Sequence, residues 1–341
     1  MAPTPDLGEH RPFQLGQPGD CRVGHCQTAP FSIVRLALFG RTVMSFSFGL
    51  PRRGRLSTMM FSLFMAAAVD AHAQIAVGAR PTEGVIELFQ SEARVLVMMQ
   101  IGAGELAPMV FDTGSDGHSI DQSLVDRHRL AQVGEVIAVD GTTGNAQHLA
   151  MVALPDVSLG RLRVGSIDAA ALDYDRTDAM GIISSEMFEG SLVVLELDKN
   201  RARLLPLATT SPPDGPGVPY VADIATVHLV MPDGSTLPAH FDTGYNAALS
   251  LPIALMDKVP LMAPATVVGR FKSINTEGEV YGGQIRGTIR IGPVTLENPH
   301  VSFLGELANI GLPVIRQMTL VMDPENNRSW ALEPDAFPAR E

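Results

Sequence analysis

The triplet Asp-Thr-Gly occurs twice in this chain, at Asp112-Thr113-Gly114 and Asp242-Thr243-Gly244, each entered through a phenylalanine at the end of an apolar run. The 130-residue spacing extends to the surroundings. Phe111 matches Phe241, Pro108 matches Pro238, Gly104 matches Gly234 and Val97 matches Val227. A repeat on this scale means that the chain folds as two like halves, by duplication and later divergence. It also supplies one carboxylate per half, each projecting from a tight loop.

The other signals recur in the same order. From Val95 to Phe111, and again from Thr226 to Phe241, the pattern predicts strand, turn, strand, with Pro232-Asp233-Gly234-Ser235 as the second turn. Helical spacing follows each triplet, from Leu124 to Leu130 and from Ile253 to Leu261. Glycine-bearing turns come next, Asp140-Gly141-Thr142-Thr143-Gly144 and Asn275-Thr276-Glu277-Gly278. An apolar-Gly pair follows in each half, Leu159-Gly160 and Ile291-Gly292. Each half closes on an alternating strand, Leu192 to Asp198 or Met318 to Asp323, that runs into an acidic or Asn-bearing turn.

Between the halves, residues 206–219 hold five prolines and two glycines, a composition suited to a linker rather than to strand or helix. The expected organisation is an N-terminal extension over 1–79, a first lobe over 80–205, the linker over 206–219, a second lobe over 220–335 and a tail over 336–341. Short Val/Ile/Leu-rich runs punctuated by Gly and Pro make the expected fold class all-β with minor α. At 341 residues and 45% hydrophobic content the chain is long enough for two cores.

Charge narrows the partners. The net charge is −12. Residues 1–73 carry seven arginines against four acids, so the remaining chain, with 18 basic and 33 acidic residues, stands at −15. That surface excludes nucleic acid and anionic membrane as partners. The N-terminal region reads as a targeting segment: Arg52, Arg53 and Arg55, an apolar run from Met59 to Val69, then Ala71-His72-Ala73 as a small-x-small cleavage site. The expectation is a signal peptide from Met44 to Ala73, with export to a periplasmic or extracellular site and no stable membrane anchor after cleavage. The run is short for a bilayer span. Both cysteines, Cys21 and Cys26, precede that site, so the mature chain is expected to hold neither disulfide nor thiolate metal site. No metal and no cofactor are expected.

The triplets point to acid–base chemistry. Gly114 and Gly244 permit a tight loop and close approach of the opposite half. Thr113 and Thr243 supply hydroxyls that can brace the loops. Two carboxylates brought face to face cannot both ionise easily and titrate as a pair, one acting as base while the other acts as acid.

These motifs resemble the aspartic peptidases of the pepsin and retropepsin superfamily, most closely the exported bacterial kind with two retropepsin-like lobes in one polypeptide. The resemblance spans roughly residues 85–333. A further element of it is the apolar-apolar-Gly segment behind each loop, with Met180-Gly181-Ile182-Ile183-Ser184 and Asn309-Ile310-Gly311-Leu312-Pro313 as candidates. The resemblance implies two pseudo-twofold-related β-barrel lobes with a cleft between them. It implies peptide-bond hydrolysis by water activated by Asp112 and Asp242. In that scheme Thr113 and Thr243 brace the loops across the axis, and Ser115 bonds the outer oxygen of Asp112. The turns at Gly141, Thr142, Thr143 and Gly144, and at Gly278 with Tyr281, act as flaps over substrate. The implied partner is an extended peptide or unfolded protein, and the chain works as a monomer. The alternative on the same scaffold is a non-catalytic peptide-binding or regulatory module.

Three positions depart from the family pattern. Tyr245 stands where a small residue is usual, Ser184 replaces a glycine, and the first flap lacks a tyrosine. His118 reads as a surface histidine and His240 as a strand histidine on the same face as Asp242. The 16 methionines read as core filler.

Overall fold

The computed structural model describes residues 34–37, 80–140, 145–174, 178–272 and 277–337. Strands dominate it and form three sheets, so the fold is all-β. One nine-stranded sheet is built from the first half together with Val34–Ala37, which pairs antiparallel with Gln132–Asp140. A second nine-stranded sheet is built from residues 226–310. A six-stranded sheet takes three strands from the first half, two from the second and one from the end of the linker, in the order Val218–Pro219, Arg328–Leu332, Thr319–Asp323, Ser191–Glu196, Arg201–Pro206, Gly84–Glu87. The rest of the expected N-terminal extension, including Met44 to Ala73, lies outside the described residues.

The strand patterns are those of pleated, half-buried surfaces. Val95, Val97, Met99 and Ile101 are buried along Val95–Ile101 while the residues between them are partly exposed. This strand pairs with Leu106–Asp112, and Met99 also faces Leu159 at the end of the long strand Ala146–Leu159. The second half repeats the contact, with Leu229 opposite Ile291. Gly160 and Gly292 follow at φ +57° and +53°, a left-handed turn that glycine adopts without strain. The repeated apolar-Gly pair is therefore a turn requirement.

The closing strands depart from the expected alternation between core and water. Every residue of Ser191–Glu196 and Thr319–Asp323 is buried. The two strands pair with each other, Val194 opposite Val321, at the centre of the six-stranded sheet. Their alternate residues enter two different apolar clusters, Val193 and Leu195 on one face, Leu192 and Val194 on the other. The linker also differs at its ends, since Pro206 pairs with Ser191 and Val218–Pro219 pairs with Ser329 and Arg328.

The helical stretches differ between halves. Gln122–His128 is an α-helix, capped by Asp121, whose Oδ1 accepts the Ser123 N–H at 2.9 Å. Its counterpart shortens to a 3-10 turn over Ile253–Leu255. Pro252 offers no side-chain cap, and Pro260 disfavours helical dihedrals at Val259.

At the end of Ser191–Glu196 lies a buried ion cluster. Glu196, 2% exposed, accepts from Arg203 Nε at 2.6 Å, Arg201 Nε at 2.9 Å and Lys199 Nζ at 2.7 Å. Burial alone would raise its pKa, but the hydrogen bonds from Arg201, Lys199 and Arg203 override it and bring the carboxyl from 4.5 to about 2. A folded-state pKa below the unfolded one contributes stability above about pH 4.5, lost as pH falls toward 2. Glu196→Gln takes the carboxylate from the buried Arg203, and from the partly exposed Arg201 and Lys199, of which Lys199 keeps Asp335; it is expected to destabilise the chain by about 3–5 kcal/mol at pH 6. In urea titrations the difference from wild type shrinks as the pH approaches 2; a pH-independent difference would remove the charge argument.

Candidate active site

Each Asp-Thr-Gly loop is the exit of a buried strand. Leu106–Asp112 and Thr236–Phe241 run through the fully buried Phe111 and Phe241 and deliver the aspartates together. Behind the first runs Gly181–Ser184, parallel to it, with Ile183 opposite Phe111 and Ser184 opposite Asp112. Behind the second runs Ala308–Ile310, with Ile310 opposite Phe241. Both expected apolar-apolar-Gly segments thus stand directly behind the loops.

The two loops interlock. Thr113 N–H donates to Thr243 Oγ1 at 3.0 Å, and Thr243 N–H donates to Thr113 Oγ1 at 3.2 Å. The hydroxyls cross over, Thr113 Oγ1 donating to Phe241 O at 2.8 Å and Thr243 Oγ1 to Phe111 O at 2.6 Å. Both threonines are fully buried, so these bonds are made away from water. The glycines make this approach available. A Cβ on Gly114 would sit 2.6 Å from Asp242 Cγ, and one on Gly244 would sit 2.7 Å from Asp112 Oδ2.

Each aspartate is therefore packed against the other half's glycine, and the two carboxyls share a hydrogen bond. Asp112 is 5% exposed and Asp242 1%. Burial raises the pKa of Asp112, against the N–H groups of Gly114 and Gly244 and the bond to Asp242, which lower it. Burial also raises Asp242, and the charge of Asp112 adds to the rise, so Asp242 stands well above the usual carboxylate range. Two carboxyls this buried and this close do not both ionise easily.

The supporting residues divide. Ser115 is buried and its hydroxyl donates to Gly117 O at 2.8 Å. The Tyr245 side chain is engaged elsewhere, its hydroxyl 2.5 Å from Ser302 Oγ. Asp242 Oδ2 is buried with no hydrogen-bond partner among the described residues. Gly278 stands inside the strand Glu277–Gln284, opposite Phe271, so the expected turn gives its last two residues to the strand. A Cβ at Gly278 would meet the Phe271 ring at 2.5 Å. Tyr281 lies on the same strand and donates its hydroxyl to Glu279 Oε2 at 3.1 Å. Gly141, Thr142, Thr143 and Gly144 lie outside the described residues; Gln132–Asp140 and Ala146–Leu159 form the arms on either side of them.

Near the first loop, one residue was read differently from the sequence and one was passed over. His118 is half-buried rather than on the surface, and its Nδ1 accepts the Ser184 N–H at 3.1 Å. Glu186, in the 3-10 turn Ser185–Met187 after Ser184, is raised by burial, and by the nearby Asp116 and Asp223, to about 8. No local pattern marks either residue, because the segments that enclose them arrive from distant parts of the chain.

No curated protein matches the chain. The family model described as "Aspartyl protease" matches residues 97–187, a stretch that contains Asp112-Thr113-Gly114 and the segment threaded behind it and stops short of the second triplet.

Proposed function

We propose that the chain is an aspartic endopeptidase whose catalytic pair is Asp112 and Asp242, one carboxyl from each half. The observation that carries the reading is the reciprocal packing of each carboxyl against the opposite glycine, with both aspartates raised in pKa. The ionised carboxyl of the pair takes a proton from a water molecule. The water oxygen attacks the peptide carbonyl carbon, and the protonated carboxyl gives its proton to the carbonyl oxygen. The pair then gives its proton to the amide nitrogen, and the C–N bond breaks as a hydroxyl of the tetrahedral diol hands a proton back, which leaves the pair with one shared proton. The buried, unpartnered Asp242 Oδ2 is a natural contact for the reacting oxygens.

The substrate in this reading is an extended peptide or unfolded protein, held in part by backbone hydrogen bonds from the hairpin arms. We propose that the chain acts as a monomer, because both carboxyls come from one polypeptide. Export rests on the sequence from Met44 to Ala73.

The test is cleavage of an unfolded protein across pH 3–7 with and without a statine-type inhibitor. Activity needs one proton on the pair, so it is lost when the second proton leaves. Because that proton is held above the ordinary carboxylate range, the alkaline limb is expected well above about pH 4, the value for a free aspartate. Peptide binding without cleavage at any pH would favour the non-catalytic module, for which Tyr245 in place of a small residue is the supporting feature.

A further inference from the structure

We propose that His118 is a positioning residue for the first Asp loop. Its neutral imidazole is the acceptor that fixes Ser184 and, through Ser184, the carbonyl of Ser115 beneath Asp112. The activity side of this inference rests on the proteolytic reading; the structural side does not.

A continuous chain of bonds runs from the ring to the loop. Ser184 is 1% exposed and stands opposite Asp112 in the parallel ladder. Its N–H donates to His118 Nδ1 at 3.1 Å. Its hydroxyl donates to Ser115 O at 2.5 Å and accepts the Glu186 N–H at 3.1 Å.

The second half makes the same support without a side chain. Gly311 is the counterpart of Ser184, each following the isoleucine that faces the loop phenylalanine. The Gly311 N–H donates to the main-chain carbonyl of Ala248 at 3.1 Å. A Cβ on Gly311 would lie 2.0 Å from Ala247 O and 2.5 Å from Tyr245 O, the latter the counterpart of the Ser115 carbonyl to which the Ser184 hydroxyl bonds. Serine at 184 thus turns a close approach into a hydrogen bond.

The reason for the exchange is a one-residue difference. Ser119 faces Ile182 as Ser250 faces Asn309, so the loop from Asp112 to Ser119 is one residue shorter than that from Asp242 to Ser250. In the shorter loop the Gly117 carbonyl accepts from the Ser115 hydroxyl. The Ser184 N–H is left to the ring nitrogen of His118.

A carbonyl is a permanent acceptor, whereas an imidazole nitrogen accepts only while unprotonated. The bond requires the tautomer with the proton on Nε2. Burial, and then the charge of Arg80, lower the pKa of His118 to about 4, which keeps that tautomer through neutral and mildly acidic pH. Arg80 is the charged group facing the ring; it is held by Ser166 O at 2.6 Å and Val164 O at 3.3 Å, with Asp168 and Glu189 around it. On the Ser184 side, Glu186, with Asp116 and Asp223 near it, holds its proton up to about pH 8 and does not titrate in the same interval. Below about pH 4 the ring gains a proton, the Ser184 N–H loses its acceptor, and the loop beneath Asp112 loses its brace.

The test compares wild type, His118→Asn and His118→Leu in the full chain. Asparagine offers an oxygen at the place of Nδ1 that does not protonate. Leucine removes the acceptor and is expected to lower kcat on the order of tenfold to a hundredfold with KM little changed. His118→Asn is expected to restore cleavage and to extend activity to lower pH than wild type. Ring nitrogen shifts of His118 in the wild-type chain should report the Nε2–H tautomer with a midpoint near 4, and exchange of the Ser184 amide should accelerate through the same midpoint. A ring protonated on Nδ1 at pH 6, or a Ser184 amide indifferent to the titration, overturns the inference even if His118→Leu does not fold. A wild-type pH profile in a folded His118→Leu overturns it too. If the wild-type chain cleaves nothing, the proteolytic reading falls, and the tautomer and amide measurements still decide the positioning role.

Discussion

Replacing either Asp112 or Asp242 with asparagine is expected to abolish cleavage, with kcat falling roughly 10³-fold or more. The two single variants should fall alike and the double variant should fall little further, because one proton and one water serve the pair as a unit. The loss is not expected to come from unfolding. Both carboxyls are buried and both pKa values are raised, mainly by burial. A group whose folded pKa is raised contributes stability at low pH that is lost as pH rises through the folded value. A neutral amide of the same shape removes that loss. At pH 7 the variants, Asp242→Asn above all, should therefore melt at or above the wild-type temperature while failing to cut. Kinetics and melting curves at pH 4 and 7 check both halves of the statement. Residual cleavage by Asp242→Asn within tenfold of wild type would remove the second carboxyl from the chemistry.

Much of this site is legible in the sequence because its determinants are local and repeated. Phe111 and Phe241 are fully buried strand ends, the triplet glycines stand where a side chain would strike the opposite carboxyl, and Gly160 and Gly292 take the same left-handed turn. Each is a requirement of a few consecutive residues, and duplication states it twice. What was not legible depends on pairings across the chain. The closing strands alternate in sequence, yet Val194 opposite Val321 buries both faces. An alternation rule cannot distinguish water from a second core. The one-residue difference between the loops leading to Ser119 and Ser250 cancels out of any comparison made at a fixed spacing of 130. On the shorter loop His118, read as exposed, lies half-buried and accepts the Ser184 N–H. The helix at Gln122–His128 follows from its Asp121 cap, while the shorter turn at Ile253–Leu255 follows from prolines that weigh more than the apolar spacing.

Thr113→Val tests how firmly the interlock holds the halves and the carboxyls together. Valine keeps the volume and loses the hydroxyl. The Phe241 carbonyl loses its donor and the Thr243 N–H loses its acceptor, both in a site without access to water. Each buried group left unpaired costs about 1–3 kcal/mol, so the substitution is expected to cost about 2–6 kcal/mol and to lower Tm on the order of 10 °C. The reciprocal pair remains, with Thr113 N–H still donating to Thr243 Oγ1 and that hydroxyl to Phe111 O, so the single variant should fold. Thr243→Val should behave alike, through the Phe111 carbonyl and the Thr113 N–H. The double variant should lose more than the sum of the singles, because either pair of bonds alone still ties the two loops together and the double variant removes all four. Catalysis should suffer further than stability predicts. A carboxyl displaced by about 1 Å can cost on the order of 10²-fold in rate, and these bonds set the separation of Asp112 and Asp242. Thr113→Ser, which keeps the hydroxyl, should recover most of both losses. Equal Tm and equal kcat in Thr113→Val and wild type would mean that the crossed hydroxyls are incidental to the meeting of the two loops.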